Sequence, residues 1–260
     1  MELIHHRAGS GPPLVLVHGI GSRWQVWEPV LDRLATEREV IAPDLPGFGA
    51  SPMPPVGTPP GIASLTRILV EFLDRLGLER PHVAGNSLGG WLALELAKQG
   101  RARSATTLSP AGFHANLEQG FQHASLWLAY RGARLLAPRA ESVLSRPRAR
   151  KLLVGQLIGR PERMTPAQAA ADMRALASAP WFEESLAAVN VDRFRDGDRI
   201  DVPVTIAWGE RDHLLLPHQA RRAGRAIPRA RVIVLRGCGH VPTYDDPSQV
   251  AQVLLEGSSI

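Results

Sequence analysis

The chain has 260 residues, of which 44% are hydrophobic and 21% are charged, and its formal net charge is +5. This apolar content can close a sizeable core, which excludes disordered, collagen-like and miniprotein classes. The single cysteine, Cys238, excludes an internal disulfide framework and a multi-cysteine zinc site. The amino-terminal residues lack the pattern of a secretory signal, and no stretch approaches roughly 20 uninterrupted apolar residues. We therefore expect a cytoplasmic protein without stable membrane insertion.

The positive charge is concentrated in one segment of the chain. Residues 131–163 hold nine basic and two acidic residues, so the rest of the chain is slightly acidic. No nucleic-acid-binding module or zinc-finger spacing accompanies this block, and we interpret it as a solvated helical face. We expect a small-molecule substrate and no nucleic-acid partner. An anionic substrate or a membrane surface near this segment is the alternative.

Short apolar runs alternate with longer segments of helical periodicity, which is typical of repeated β-α-β units and a mainly parallel sheet. The predicted strands are Leu14–His18, Val40–Asp44, His82–Asn86, Ala105–Ser109, Val204–Trp208 and Val232–Leu235, with Leu3–His6 as a candidate edge strand. The helices predicted between them are Trp24–Leu34, Ile62–Leu76, Leu88–Lys98, His218–Ala226 and Pro247–Leu255.

The alternation stops between about residues 112 and 191, where helical patterns follow one another. These patterns are Leu117–Leu136, Ala140–Leu157 and Pro166–Ala177. We predict a core formed by residues 1–112 and 191–260, with a helical cap at 113–190 inserted after the fourth strong strand. Because parallel sheets bind ligands at the carboxyl ends of their strands, a cap here would cover the ligand site. Its run Ser125–Leu136 is amphipathic and basic, and we favour an inner cap face over lipid contact.

The sharpest local pattern is Gly85-Asn86-Ser87-Leu88-Gly89, which follows a predicted strand and opens a predicted helix. A serine at such a turn takes a strained backbone conformation, and the flanking glycines leave room for neighbouring elements. The amino terminus of the helix also favours negative charge on a nearby oxygen. We predict Ser87 as a nucleophile, an ordinary strand–helix turn being the alternative.

A serine hydroxyl needs a base to take its proton, and the base works best beside an orienting carboxylate. Asp212 follows the strand Val204–Trp208, and His240 follows Val232–Leu235 on a glycine-flanked loop. Both positions lie at the expected carboxyl edge of the sheet. The order Ser87, Asp212, His240 is a known chain order of nucleophile, acid and base, so we predict these three as catalytic residues.

Other residues compete for these roles. Glu210 lies two residues nearer the strand than Asp212, but a turn of several residues is needed to bring the carboxylate beneath the histidine, which favours Asp212. Cys238 is interpreted as a small buried hydrophobe. The other candidate histidines are interpreted as surface or core residues. They are His5, His6, His82, His114, His123, His213 and His218.

The negative charge that develops on the substrate oxygen needs amide N–H donors. One donor should be the amide of Leu88, directly after the nucleophile. The second should come from the loop after the strand Leu14–His18, where Gly19 and Gly21 let the Ile20 amide face the site. We therefore predict Ile20 and Leu88 as the oxyanion-binding residues.

The motifs that carry a family resemblance lie along almost the whole chain outside the insertion. They are His18-Gly19, Asp44-Leu45-Pro46-Gly47-Phe48-Gly49, the serine pentapeptide with Gly90, Trp208-Gly209-Glu210-Arg211-Asp212 and Gly239-His240-Val241-Pro242. Together they resemble the α/β-hydrolase superfamily. The resemblance implies an α/β-hydrolase fold, with a mostly parallel central sheet flanked by helices, and a serine hydrolase that needs neither cofactor nor metal. Asp44 in such a protein looks structural.

Within the superfamily, the resemblance leaves the reaction open. Serine at position 87 argues against haloalkane dehalogenases and epoxide hydrolases, which use an aspartate there. We expect hydrolysis of a small-molecule carboxylic ester. The runner-up is carbon–carbon hydrolysis of meta-ring-fission products: the elbow is similar and the arginine-rich insertion could hold a carboxylate, but those enzymes usually carry a tryptophan where this chain has Val241. A ligand-binding relative without turnover is a third possibility, and the oligomeric state stays open.

Overall fold

The computed structural model describes residues 1–259, in which seven strands form one sheet in the order β1-β3-β2-β4-β5-β6-β7. The strands are β1 (His5–Ala8), β2 (Pro13–Val17), β3 (Glu39–Pro43), β4 (His82–Asn86), β5 (Ser104–Leu108), β6 (Val204–Gly209) and β7 (Arg231–Leu235). β1 is antiparallel to β3, and the other pairs are parallel. The predicted mostly parallel sheet is confirmed, with its edge strand two residues later than expected.

Ten α-helices lie within residues 1–259. They are α1 (Glu28–Ala35), α2 (Ile62–Arg75), α3 (Leu88–Lys98), α4 (Asn116–Leu136), α5 (Ala140–Leu144), α6 (Pro147–Val154), α7 (Pro166–Ala177), α8 (Phe182–Val191), α9 (Gln219–Ala226) and α10 (Pro247–Gly257). A 3₁₀ turn at Trp24–Trp27 precedes α1 and accounts for the earlier start expected there.

Helices cover both faces of the sheet, which is why its strands are apolar on both sides. Successive residues of a strand point to opposite faces. Accordingly, Val15 and Val17 of β2 join the apolar cluster that includes α2 and α3, whereas Leu14 and Leu16 join the cluster that includes α1 and α10. The two clusters hold the sheet between two helical layers and leave its carboxyl edge for the loops.

Helices α4 to α8, which we call the insertion, lie between β5 and β6. The single helix predicted over Ala140–Leu157 is wrong, because Pro147 cannot continue the preceding helix and instead opens α6. Helix α8 was not predicted, since its buried apolar residues are few.

Tyr130 and Ala133 of α4 are buried as an inner face requires, but Leu128 and Leu135 of the same run are exposed. No helix within residues 1–259 is long and apolar enough to span a bilayer.

The crossing of α3 over β2 depends on a missing side chain at Gly89. A Cβ at this position would lie 2.0 Å from the Val17 carbonyl oxygen, whereas a Cβ at Gly120 in α4 would meet no atom within 4 Å. We expect Gly89→Ala to lower the free energy of unfolding by about 2–4 kcal/mol, because backbone must move. The matched Gly120→Ala should raise it by about 0.5–1 kcal/mol through helix propensity. Urea denaturation measures both, and equal effects would contradict the close approach.

Candidate active site

Ser87 occupies the turn between β4 and α3. Its φ and ψ are 56° and −118°, a conformation that side-chain-bearing residues rarely adopt. Backbone bonds hold the turn: the Ser87 amide donates to the Leu108 carbonyl at 3.0 Å, and the Ser87 carbonyl accepts from the amides of Trp91 at 3.1 Å and Ala111 at 3.0 Å. The serine is thereby held at the carboxyl end of β4, directly before the amino terminus of α3.

His240 and Asp212 form a buried pair on the loops after β7 and β6. His240 Nδ1 lies 2.8 Å from Asp212 Oδ2. The other oxygen, Asp212 Oδ1, accepts from the amides of Leu214 at 2.9 Å and Leu215 at 2.8 Å. Both carboxylate oxygens are therefore bonded, and one of them holds the imidazole through Nδ1, so that Nε2 is the ring nitrogen not engaged with Asp212.

The competing residues have other partners. Glu210 Oε2 accepts from the Gly237 amide at 2.8 Å, so this carboxylate braces the loop after β7 and does not bond to His240. His82 Nδ1 lies 2.8 Å from Ser104 Oγ. Burial lowers the pKa of His82 to about 4. His218 pairs with Glu118. Asp212, and not Glu210, is therefore the carboxylate bonded to His240.

Two residues that the sequence interpretation left without a role support the His240 loop. Asn86 Nδ2 donates to the His240 carbonyl at 2.8 Å, which ties this loop to the turn at the serine. Asp245 accepts from the amides of Gly239 at 2.7 Å, Gly159 at 3.0 Å and Arg160 at 2.6 Å. Burial raises the pKa of Asp245, and these amide bonds act in the opposite direction. The position of Asn86 inside the serine pentapeptide could have indicated its role, whereas nothing in the sequence separates Asp245 from Asp246.

The loop after β2 approaches the serine closely. A Cβ at Gly19 would lie 3.2 Å from Ser87 Cβ, so this loop passes over the nucleophile. His18 fixes the loop: its Nδ1 bonds to the Gly19 carbonyl at 2.7 Å and its Nε2 accepts from the Leu45 amide at 2.9 Å. Burial lowers the pKa of His18, which favours the neutral ring that this bonding pattern requires. Ile20 follows directly and lines the space in front of Ser87.

The amide of Leu88 is the other predicted oxyanion donor. Leu88 is the first residue of α3, so its amide has no acceptor within the helix. It lies beside Ser87 at the same helix terminus. The start of α3 thus provides a backbone donor beside Ser87, and Ile20, Ser87 and Leu88 line the same cavity.

Asp44 has the loop-organising contacts that its expected structural role requires. Its Oδ1 accepts from the Trp24 amide at 2.7 Å and its Oδ2 from the Ala50 amide at 2.8 Å. A Cβ at Gly49 would lie 2.1 Å from Asp44 Oδ2, which explains the glycine beside it. Asp44 therefore connects the loops after β2 and β3.

Two cavities meet at Ser87. The larger, of about 220 Å³, is lined by Ser87, His240 and Ile20 together with apolar residues. The smaller, of about 40 Å³, is lined by Ser87, Ile20 and Leu88 and by residues of the insertion. Apolar residues of the larger cavity include Val26, Leu126, Leu136, Leu157, Met173 and Leu176. No arginine of the described chain lines either cavity, which contradicts the idea that insertion arginines hold a substrate carboxylate there.

Comparisons with known proteins identify the family of this chain. A family model described as "Alpha/beta hydrolase family" matches residues 14–253. An epoxide hydrolase of Mycobacterium tuberculosis is 30% identical over 189 residues, covering 70% of this chain and 87% of the relative. A 2-hydroxy-6-oxo-2,4-heptadienoate hydrolase of Pseudomonas putida is 29% identical over 252 residues, covering 90% and 84%. The structure of a thermophilic esterase from Thermogutta terrifontis superposes with a TM-score of 0.71 at 24% identity, covering 98% and 92%.

The larger cavity also contains a carboxylate outside the His240–Asp212 pair. Asp172 of α7 and Tyr244 both line it, and the Tyr244 hydroxyl is bonded to the Asp172 carboxylate. Desolvation in this wall raises the pKa of Asp172 from 3.8 to about 6. The sequence patterns did not single out Asp172, since one acid on an amphipathic helix resembles an ordinary solvated residue.

The raised pKa of Asp172 predicts a pH-dependent stability. The Asp172 carboxyl has a pKa of about 6 in the folded protein and an ordinary pKa of 3.8. The folded state therefore binds the proton more tightly than the unfolded state, and this contribution to the free energy of unfolding is present at low pH. It is lost as the pH rises from 3.8 through about 6, because the folded protein then holds a charged carboxylate in a poorly solvated wall. We expect Asp172→Asn to raise the free energy of unfolding at pH 8 by about 1–3 kcal/mol, with little gain at pH 4. Denaturation at both pH values measures this change, and Asp32→Asn, at an exposed position of α1, serves as the control. An equal change at both pH values would contradict the assignment.

Proposed function

The chain belongs to the alpha/beta hydrolase family, and from this premise we propose that it is a serine hydrolase acting on a small-molecule carboxylic ester. The observation that carries the proposal is the strained Ser87 in one largely apolar cavity with His240, which is in turn bonded to Asp212. A serine, a base and an orienting carboxylate are the groups that acyl transfer requires. Because all three are provided by side chains, the proposed reaction uses neither a metal nor an organic cofactor.

The proposed reaction proceeds through an acyl-enzyme. His240 Nε2 takes the Ser87 proton while Ser87 Oγ attacks the ester carbonyl carbon, and the amides of Ile20 and Leu88 stabilise the resulting oxyanion. His240 then gives its proton to the departing alcohol as the carbon–oxygen bond breaks. In the second half, a water molecule loses a proton to His240 and attacks the acyl carbon, releasing the acid and restoring Ser87. Asp212 holds the imidazole and stabilises its cationic form.

We propose that residues 113–190 act as a cap over this site. Helices α4 and α7 contribute Leu126, Leu136, Met173 and Leu176 to the larger cavity, so the insertion forms much of its wall. An ester enclosed in this cavity is shielded from water, which strengthens the electrostatic interactions at the oxyanion. The cap would therefore determine both the protection of the reacting atoms and the choice of substrate.

The cavities favour a neutral substrate with one larger apolar part. A space of about 220 Å³ with an apolar lining suits a medium acyl or alcohol group, and the space of about 40 Å³ suits a short group on the other side of the carbonyl. Among the described residues that line the two cavities there is no arginine to bind a carboxylate. This weighs against an anionic substrate.

Carbon–carbon hydrolysis is the second candidate, because the relative from Pseudomonas putida carries a dienoate hydrolase name. Val241 and the absence of an arginine from the described lining weigh against it. Epoxide hydrolysis, the activity in the name of the relative from Mycobacterium tuberculosis, is disfavoured because a serine stands at position 87. We therefore rank ester hydrolysis first.

Substitutions in the catalytic set test the proposal. A fluorophosphonate probe should label Ser87, and Ser87→Ala should abolish both labelling and ester turnover. Asp212→Asn should lower kcat by about 10³–10⁴-fold, because the imidazole loses its orienting carboxylate. The matched Glu210→Gln should leave kcat within about threefold, since this carboxylate braces a backbone amide instead.

A substrate panel separates the two candidate reactions. Octyl and butyl esters of short and medium acids are compared with a meta-fission dienoate, with kcat/KM as the readout. Higher kcat/KM for esters supports the first candidate. Turnover of the dienoate alone would replace it with the second, and labelling that survives in Ser87→Ala would refute the nucleophile.

A further inference from the structure

The smaller cavity beside Ser87 contains two buried polar side chains without partners. His114 and Gln122 line this cavity and are 6% and 4% exposed. The Nε2 atoms of both are buried and make no hydrogen bond within the described chain. Burying a polar group without a partner costs free energy, so such groups are typically satisfied by a water molecule or a ligand. These two lie in the wall that faces the nucleophile.

The surroundings of His114 favour its neutral form. Desolvation lowers the pKa of His114, and the nearby cations Arg193 and Arg222 act in the same direction, whereas Glu118 opposes them. Glu118 is already paired with Arg222 and His218. A neutral imidazole keeps one N–H, and the Gln122 amide nitrogen carries two. The pair therefore offers donors within an otherwise largely apolar space, which suits an oxygen that accepts hydrogen bonds.

We propose that His114 and Gln122 form a polar subsite that recognises an ether, hydroxyl or carbonyl oxygen in the short part of the ester substrate. The subsite deepens the proposed function and rests on it for the identity of the scissile bond. Ser87 lines both cavities, so an ester bound across it would place its long apolar part in the larger one and its short oxygen-bearing part against these donors. The two side chains thus select among esters of similar size.

Isosteric esters test the subsite. Methoxyethyl octanoate is compared with butyl octanoate, and octyl methoxyacetate with octyl butanoate, so that each pair exchanges one oxygen for a methylene. In at least one pair, we expect His114→Phe and Gln122→Leu each to reduce the kcat/KM preference for the oxygen-containing ester by about tenfold. Because the kcat/KM ratio of each ester pair is compared between variant and wild type, the intrinsic reactivity of methoxyacetates cancels. Leu186→Met, a change in the same cavity wall that removes no polar atom, should leave the ratio unchanged.

Equilibrium binding to Ser87→Ala protein separates this proposal from the proposed function. The Kd ratio of each ester pair is measured by calorimetry in Ser87→Ala and in its double variants with His114→Phe and Gln122→Leu. A preference that is lost in the double variants supports the subsite even if no ester is turned over. Ratios that the substitutions do not change, or no binding of any ester, would overturn it and leave the pair as a structural site for water.

A separate observation concerns the outer surface of the insertion. Helix α4 exposes Leu117, Phe121, Leu128 and Leu135 to 93%, 50%, 62% and 77%, and these residues recur at the spacing of one helical face. Helix α6 adds Leu152, which is 82% exposed. A helix in a soluble domain normally buries its apolar face, so a continuous exposed stripe marks an interaction surface. We call these residues the apolar stripe.

Basic side chains flank the apolar stripe. Arg131 lies three residues from Leu128 and four from Leu135, and Arg148 lies four residues before Leu152, so each shares an exposed helical face with stripe residues. Six exposed basic residues of α4 to α6 form no ion pair within residues 1–259, although Arg131 stacks on the Trp127 ring and Arg134 on the Tyr130 ring. They are Arg131, Arg134, Arg139, Arg146, Arg148 and Lys151. Apolar residues rimmed by cations whose charge no carboxylate neutralises complement an anionic lipid surface.

We infer that the outer face of α4 and α6 docks on an anionic phospholipid surface. Leu128 and Leu153 line the larger cavity and are also exposed, so the cavity reaches the surface between these helices. Docking by this face would turn the opening toward the lipid and admit water-insoluble esters without exposing their chains to water. The stripe would lie among the headgroups while the cations contact lipid phosphates.

Vesicle co-sedimentation tests the surface independently of catalysis. Wild-type protein should pellet with phosphatidylglycerol vesicles and not with phosphatidylcholine vesicles, and Ser87→Ala should behave in the same way. Replacing Arg139, Arg146, Arg148 and Lys151 by Gln, or Leu117, Phe121 and Leu135 by Ser, should weaken binding by about tenfold or more. The matched control replaces Arg221, Arg225, Arg229 and Arg236 by Gln, four exposed arginines on and beside α9 and β7 and outside the insertion, and it should still bind. None of these residues lines either cavity, so turnover of soluble esters should be retained.

Failure of the wild-type protein to bind anionic vesicles would overturn the docking surface. Vesicle binding that the control set weakens as much as the insertion variants do would also overturn it. Sedimentation velocity provides the remaining check: a dimer that the Ser variants dissociate, together with no vesicle binding, would identify the stripe as an interface between copies of this chain.

Discussion

The candidate site depends on one strained turn. A residue with the backbone angles of Ser87 costs about 1–3 kcal/mol, and such strain persists only where the surroundings over-determine it. Here its amide and carbonyl are bonded to Leu108, Trp91 and Ala111, and α3 crosses β2 so closely that Gly89 has no room for a side chain. The same packing that stabilises the core thus places the serine at the sheet edge, with the α3 amino terminus beside it.

The proposed base is held as firmly as the nucleophile, but by different means. Asn86, next to Ser87, donates to the His240 carbonyl, so a single turn positions both sides of the proton transfer. Asp245 binds amides from the His240 loop and from the insertion, and the Val241 amide donates to the Leu157 carbonyl at 2.9 Å. A displacement of the Leu157–Arg160 segment would therefore move the loop that carries His240. Under the proposed function, this connection would let contacts between the substrate and the insertion influence the geometry of His240.

The sheet could be predicted from the sequence because the residues of each strand themselves indicate that strand. Buried parallel strands are short apolar runs, and the glycine-rich turn at Ser87 follows such a run directly. The loops at the carboxyl edge can be placed by the same logic, and the length of the turn after β6 favours Asp212 over Glu210 as the partner of His240. The resemblance to a known superfamily added the expected overall architecture.

What could not be predicted depends on contacts between distant segments. Pro147 breaks a helix whose periodicity continues on both sides. His114 and Gln122 have ordinary sequence contexts, and only the packing of α4 against the core places them beside the nucleophile. Periodicity likewise shows that α4 is amphipathic but not which face meets the core, so the exposure of Leu128 was not foreseen.

The distribution of charge differs between the two sides of the insertion, the cavity wall and the outer surface. Buried Arg150 donates to the Leu144 carbonyl at 2.7 Å and stabilises the insertion itself. The exposed cations of α4 to α6 face outward, and the described cavity walls contain no arginine. A cation in the wall would have to be desolvated and would favour anionic ligands over neutral esters. On the outer face it stays hydrated and can attract an anionic surface at long range. The basic segment therefore acts outside the cavity, and the choice of substrate is left to the apolar wall and the few buried polar groups within it.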